Sequence, residues 1–183
     1  MTSESIDPRA ELLARRDAAL VRWPRRAGTE FATEMTAIAE EFMALAHATE
    51  FSGADPSVRL RAWMHAGDAY FAFGTARDAK RLRCAADAYR MAEELLDQAE
   101  ASPLERVHLH DAHGRALLQL AEEDDVELAS AAAHRLATAL SLARRHIPER
   151  VAAIKLELCR AEHVVTVQRN PAALRALFGE SVI

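Results

Sequence analysis

The sequence is poor in the residues on which several other protein classes depend. Its two cysteines, Cys84 and Cys159, lie far apart, which excludes a disulfide framework and a zinc knuckle. Only 5% of the residues are aromatic, and glycine and proline number six each, too few for a loop-rich or all-β domain. Because there is neither a long apolar run nor an apolar leader, we expect no membrane span and no secretory signal, and we predict a cytoplasmic protein.

Alanine and helical periodicity dominate what remains. Half of the 183 residues are hydrophobic, and many of these are alanine, the strongest helix former. Apolar residues recur at spacings of three and four, as they do between Leu82 and Leu96. These patterns predict an all-α fold with helices near 8–22, 29–48, 56–73, 78–100, 103–121, 125–146, 148–168 and 171–178.

Prolines mark where most of these helices begin. A capping side chain precedes four of the six prolines, in Asp7-Pro8, Asp55-Pro56, Ser102-Pro103 and Asn170-Pro171. Proline at the first helical position loses no hydrogen bond, and the cap accepts hydrogen bonds from the first turn. Pro148 is predicted to begin a helix without a good cap, and the acidic run from 122 to 125 is read as a turn that ends in a cap.

The sequence also repeats. Asp55 and Ser102 are 47 residues apart, and the same shift places Gly67 on Gly114. It also aligns Ala85, Ala86, Tyr89, Ala92 and Leu95 with Ala132, Ala133, Leu136, Ala139 and Leu142. A constant period of this size is typical of stacked helical hairpins. We therefore predict a repeat domain over 29–168, with repeats at about 56–102 and 103–147 and half repeats at 29–48 and 148–168. A basic helix with its linker (1–28) precedes it, and a short capping helix and tail (169–183) follow.

One part of the repeat has a familiar spacing. Trp63-x-x-Ala66-Gly67-x-x-Tyr70, followed by Ala85-x-x-x-Tyr89-x-x-Ala92, resembles the tetratricopeptide repeat. The resemblance implies antiparallel hairpins stacked as a short right-handed solenoid of seven to eight helices. It also implies that the first helices line a concave, partner-binding surface. The 47-residue period exceeds the family's unit of about 34 residues, so the helices or turns here must be longer.

The resemblance and the shift together assign partner-binding positions on the first helices. These positions are Arg61, Met64, Asp68, Phe71, His108, Asp111, Arg115, Lys155 and Glu162. Because basic residues are prominent among them, we predict a protein or acidic-peptide partner, with no catalytic residue, metal or cofactor. The net charge of −5, and acidic residues that offset most of the N-terminal arginines, favour neither nucleic acid nor membrane as a partner.

Three histidines in seven residues suggest an alternative. His108, His110 and His113 resemble a metal or catalytic cluster, which His134 or His163 could complete. The shift, however, places His110 on Trp63 and His113 on Ala66, both inward positions, and His108 on Arg61, an outward one.

We therefore interpret the three as packing or surface histidines. A helical-bundle metal protein or enzyme remains a second hypothesis. Glu105-x-x-His108 supplies half of a di-iron motif, but the chain has no second copy of it. A structural subunit of a homo-oligomer is a third hypothesis.

Overall fold

The structure is a computed structural model that describes residues 29–51, 55–72, 78–121 and 125–169. It also describes five helical positions of the first 28 residues: Ala10, Ala14, Asp17, Ala18 and Val21. Within these residues the fold is all-helical and contains no strand, as the sequence predicts. The predicted helix at 171–178 lies outside the described residues, as does most of the predicted helix at 8–22. No described helix is sufficiently long and apolar to cross a bilayer.

The chain divides into two units, residues 1–101 and 102–183. In the first unit, α1 (Thr29–Phe51) packs on α2 (Pro56–Phe71), which packs on α3 (Ala79–Glu93). In the second, α4 (Pro103–Leu120) packs on α5 (Val126–His146), which packs on α6 (Val151–Arg169). A single turn of 3₁₀-helix, Pro148–Arg150, joins α5 to α6. Each unit thus places one central helix between two others.

The predicted caps are confirmed wherever the structure describes them. The Asp55 carboxylate accepts a 2.8 Å hydrogen bond from the Ser57 amide at the start of α2. Ser102 and Glu105 form a reciprocal capping box at α4, and Asp125 caps α5 through the amides of Glu127 and Leu128. Pro148 begins its turn without a side-chain cap, also as predicted. Sequence-local hydrogen bonds therefore set the helix starts.

The end of α3 differs from the prediction. A single helix was expected over 78–100, whereas α3 ends at Glu93 and hydrogen-bonded turns occupy 94–100. Glu100 adopts a left-handed φ of 46°, and the Ala101 amide donates to the Leu96 carbonyl at 3.3 Å. A left-handed residue followed by an amide that donates to an earlier carbonyl is a pattern that ends many helices. Glycine is the residue most often found at the left-handed position. Because residue 100 is a glutamate, the sequence gives no signal for this left-handed conformation.

Burial follows the 47-residue shift. Phe42, Tyr89 and Leu136, which the shift aligns on α1, α3 and α5, are all 0% exposed. Leu60, Val107 and Ile154 are the matching positions on α2, α4 and α6, and each is at most 1% exposed. The corresponding helices therefore bury the same faces in both units, which is the packing that repeated apolar spacing predicts.

Two glycines occupy equivalent close contacts. A Cβ built on Gly67 would lie 2.5 Å from the Tyr89 ring, and one built on Gly114 would lie 2.7 Å from Leu136 Cγ. Both distances are too short for a real contact. Glycine therefore lets the central side chain of the neighbouring helix rest on the helix backbone, once in each unit.

Candidate partner-binding site

The predicted partner-binding residues of the first unit lie on α2. Arg61 and Phe71 are half-buried, whereas Met64 is only 6% exposed and belongs to the core. Asp68 is also half-buried, and it accepts a 2.9 Å hydrogen bond from the hydroxyl of Tyr89 on α3. Part of this predicted set therefore holds α2 and α3 together.

The predicted residues of the second unit are divided between two helices. His108, Asp111 and Arg115 lie on α4, and Lys155 and Glu162 are exposed on α6. Asp111 was predicted to line a concave surface, but its side chain is only 2% exposed. It occupies the position that the shift assigns to buried Met64, and the helix therefore turns both side chains inward. Asp111 therefore does not line an accessible surface.

Asp111 is the centre of an ion cluster. Its Oδ1 accepts a 2.9 Å hydrogen bond from Arg115 Nε, one helical turn further along α4. Its Oδ2 accepts a 2.5 Å hydrogen bond from Arg150 Nη2, in the 3₁₀ turn before α6. A buried carboxylate is costly to desolvate unless it is paired, and here each oxygen has its own guanidinium. We call Asp111, Arg115 and Arg150 the arginine clasp.

The arginine clasp has an excess of positive charge. One carboxylate faces two guanidinium groups, so the cluster has a net charge of +1. The side chains of Arg115 and Arg150 are 32% and 34% exposed. Each guanidinium has five N–H donors, and each uses one of them on Asp111. Among the described residues, neither arginine side chain has another ion-pair or hydrogen-bond partner. Within the described part of the chain, the remaining donors are not occupied, which leaves them to bind an anion.

Arg150 was not among the residues predicted to bind a partner. It lies 39 residues beyond Asp111, and the repeat shift aligns it with Pro103, a helix start rather than a binding position. Its placement depends on how the turn at Pro148 brings it back towards α4, which no local pattern encodes.

The three clustered histidines have different environments. His113 is 3% exposed, as predicted, and its Nδ1 accepts a 2.9 Å hydrogen bond from Arg135 Nε on α5. His108 and His110 are half-buried, so His110 matches the buried Trp63 only in part. Because Nδ1 of His113 accepts the hydrogen bond from Arg135, this nitrogen is already occupied. His113 therefore joins α4 to α5.

Among the described residues, those named for a metal site form no metal-binding cluster. Glu105 Oε2 accepts from the amide and hydroxyl of Ser102, at 2.9 and 2.8 Å, as part of the cap of α4. His134 and His163 are exposed, and no group of three or more potential metal ligands occurs among the described residues. Burial, followed by the nearby Asp87 charge, raises the pKa of the Cys84 thiol, the opposite of what activates a nucleophile.

No protein-family model matches the chain, and no curated protein sequence matches it.

Proposed function

We propose that this chain is a non-enzymatic, tetratricopeptide-like adaptor that binds an acidic protein or peptide. The arginine clasp carries this proposal. One buried carboxylate holds two half-exposed guanidinium groups in place. Binding a carboxylate ligand therefore costs little side-chain conformational entropy. Guanidinium groups recognise carboxylates through paired, charge-assisted hydrogen bonds.

The proposal includes two finer expectations from the sequence. The hairpins would stack as a right-handed solenoid, and the protein would work in the cytoplasm. Matched burial at Phe42, Tyr89 and Leu136 supports a repeated hairpin. Small-angle X-ray scattering tests the stacking, because a solenoid has a larger maximum dimension than a closed bundle of equal mass.

Peptide binding tests the adaptor function. Fluorescein-labelled hexaglutamate and hexaglutamine are titrated with the protein, and binding is followed by fluorescence anisotropy. We expect the protein to bind hexaglutamate more tightly than hexaglutamine. Arg115→Gln and Arg150→Gln should each weaken hexaglutamate binding about 10- to 100-fold, since one charge-assisted hydrogen bond contributes about 1.5–3 kcal/mol.

The controls separate binding from folding. Each single substitution leaves Asp111 one arginine partner, so both variants should remain folded, as circular dichroism can verify. Arg90→Gln is the matched control, because Arg90 is an exposed arginine paired with Glu94 on α3. Equal affinity for both peptides, or wild-type affinity in both clasp variants, would refute the proposal.

A further inference from the structure

The outer face of α6 has no partner in the described structure. Ala152, Leu156, Cys159 and His163 follow one another at spacings of four, three and four, which places them in a line along one face of the helix. All four are exposed, and Leu156 is 62% exposed, an unusual position for a large aliphatic side chain. We call this line the α6 stripe. The opposite face, with Ile154 and Ala161 at 0% exposure, packs into the unit.

Two oppositely charged side chains flank the α6 stripe on one edge. Lys155 and Glu162 are seven residues apart, two helical turns, and therefore lie on the same edge. Both are exposed, and neither side chain has an ion-pair or hydrogen-bond partner among the described residues. The nearby Arg160 is already paired with Glu157 at 3.0 Å. Opposite charges are thus available at the two ends of this edge.

We propose that the α6 stripe binds the α6 stripe of a second copy of this chain, with the two helices antiparallel. In that orientation Lys155 of each copy faces Glu162 of the other, so two ion pairs form around the two-fold axis. In a parallel two-fold pair this edge would instead face the opposite edge of the partner helix, so Lys155 and Glu162 would not meet. This arrangement makes the surface complementary to itself, as a symmetric dimer requires.

The shapes of the side chains agree with the same orientation. When the stripes of two copies pack antiparallel, Leu156 of one copy faces Cys159 of the other, and His163 faces Ala152. Each larger side chain then faces a smaller one, which allows close packing between helices. Because one 19-residue helix offers a small interface, we expect dissociation in the micromolar range or weaker.

Charge reversal with restoration tests the orientation. Sedimentation velocity is recorded on the full chain from about 5 to 500 μM. The wild type should shift from monomer towards dimer over this range. Lys155→Glu and Glu162→Lys should each raise the dissociation constant at least about tenfold, because each brings like charges together twice. The double variant K155E/E162K should regain wild-type association, since the opposite charges face each other again.

Two leucines provide the matched apolar comparison. Leu156→Glu should abolish association, whereas Leu104→Glu should not, because Leu104 is similarly exposed, at 59%, but lies on α4. Circular dichroism checks that the variants fold. A wild type that stays monomeric throughout, single reversals without effect, or a double variant that fails to recover would each overturn the proposal. These outcomes do not depend on peptide binding, so the adaptor function stands or falls separately.

Discussion

Tyr89 of α3 rests directly on the backbone of Gly67 in α2, where a β-carbon would come within 2.5 Å of its ring. Leu136 of α5 rests on Gly114 of α4 in the same way, 47 residues further along the chain. The same contact, a large side chain of one helix on a glycine of the preceding helix, thus occurs in both units. It explains why the repeat keeps glycine at these positions although glycine weakens a helix.

Adding a methyl group should disrupt this packing. Gly67→Ala and Gly114→Ala should each lower the free energy of unfolding by about 1–3 kcal/mol, because neither Tyr89 nor Leu136 can move away without leaving the core. In an open helix position the same change would stabilise by about 1 kcal/mol. Urea denaturation distinguishes the signs. Leu136→Ala in the Gly114→Ala background should cost less than Leu136→Ala alone, because the shortened side chain relieves the clash.

The Tyr89 hydroxyl should contribute measurably to the first unit. Tyr89→Phe removes the hydrogen bond to Asp68 and should lower the free energy of unfolding by about 1 kcal/mol. Tyr70→Phe is the matched control, because Tyr70 is buried in the same unit but its hydroxyl has no hydrogen-bond partner among the described residues. Equal effects of the two substitutions in urea denaturation would contradict this assignment.

Tyr70 should instead affect alkaline stability. Burial raises the pKa of Tyr70 above its ordinary value of about 10, because the phenolate is poorly solvated there. The protonated form therefore stabilises the fold fully below about pH 10, and this contribution is lost as the pH rises through the higher folded-state pKa. We expect Tyr70→Phe to lose less stability than the wild type between pH 9 and pH 11. Parallel pH profiles of urea midpoints would argue against a shifted Tyr70.

The arginine clasp should behave as a coupled unit. Arg115→Gln and Arg150→Gln should each cost about 1–2 kcal/mol in unfolding free energy, since Asp111 keeps one partner. The double substitution should exceed the sum of the single effects by about 1–3 kcal/mol, because a buried carboxylate is left without a charge partner. A double-mutant cycle by urea denaturation measures this coupling. Additive costs would mean that the two arginines do not share Asp111.

Local rules explain how much of this fold the sequence could predict. The starts of α2, α4 and α5 follow from caps at Asp55, Ser102 and Asp125, which need only neighbouring residues. The repeat shift likewise predicted the inward placement of His113. Both signals depend on spacing along the chain, which the printed sequence contains.

The candidate site depended on information that spacing does not carry. The repeat shift placed both Met64 and Asp111 on the partner-binding surface, whereas both are buried. Arg150, one of the ion-pair partners of Asp111, approaches from a turn 39 residues away. The left-handed Glu100 ends the turns that follow α3, and glutamate, unlike glycine, gives no sequence signal for that conformation. Ion pairs between distant residues and left-handed backbone at residues other than glycine are therefore the features that the sequence could not predict.

The most direct test of the adaptor function observes the two arginines themselves. The Nε–H resonances of Arg115 and Arg150 are assigned by the loss of each signal in its Gln variant and followed by NMR while hexaglutamate is added. We predict that both resonances shift with one common binding curve, while that of Arg90 stays in place and hexaglutamine produces no shift. Saturable binding of hexaglutamate that leaves the Arg115 and Arg150 resonances unmoved would contradict the account.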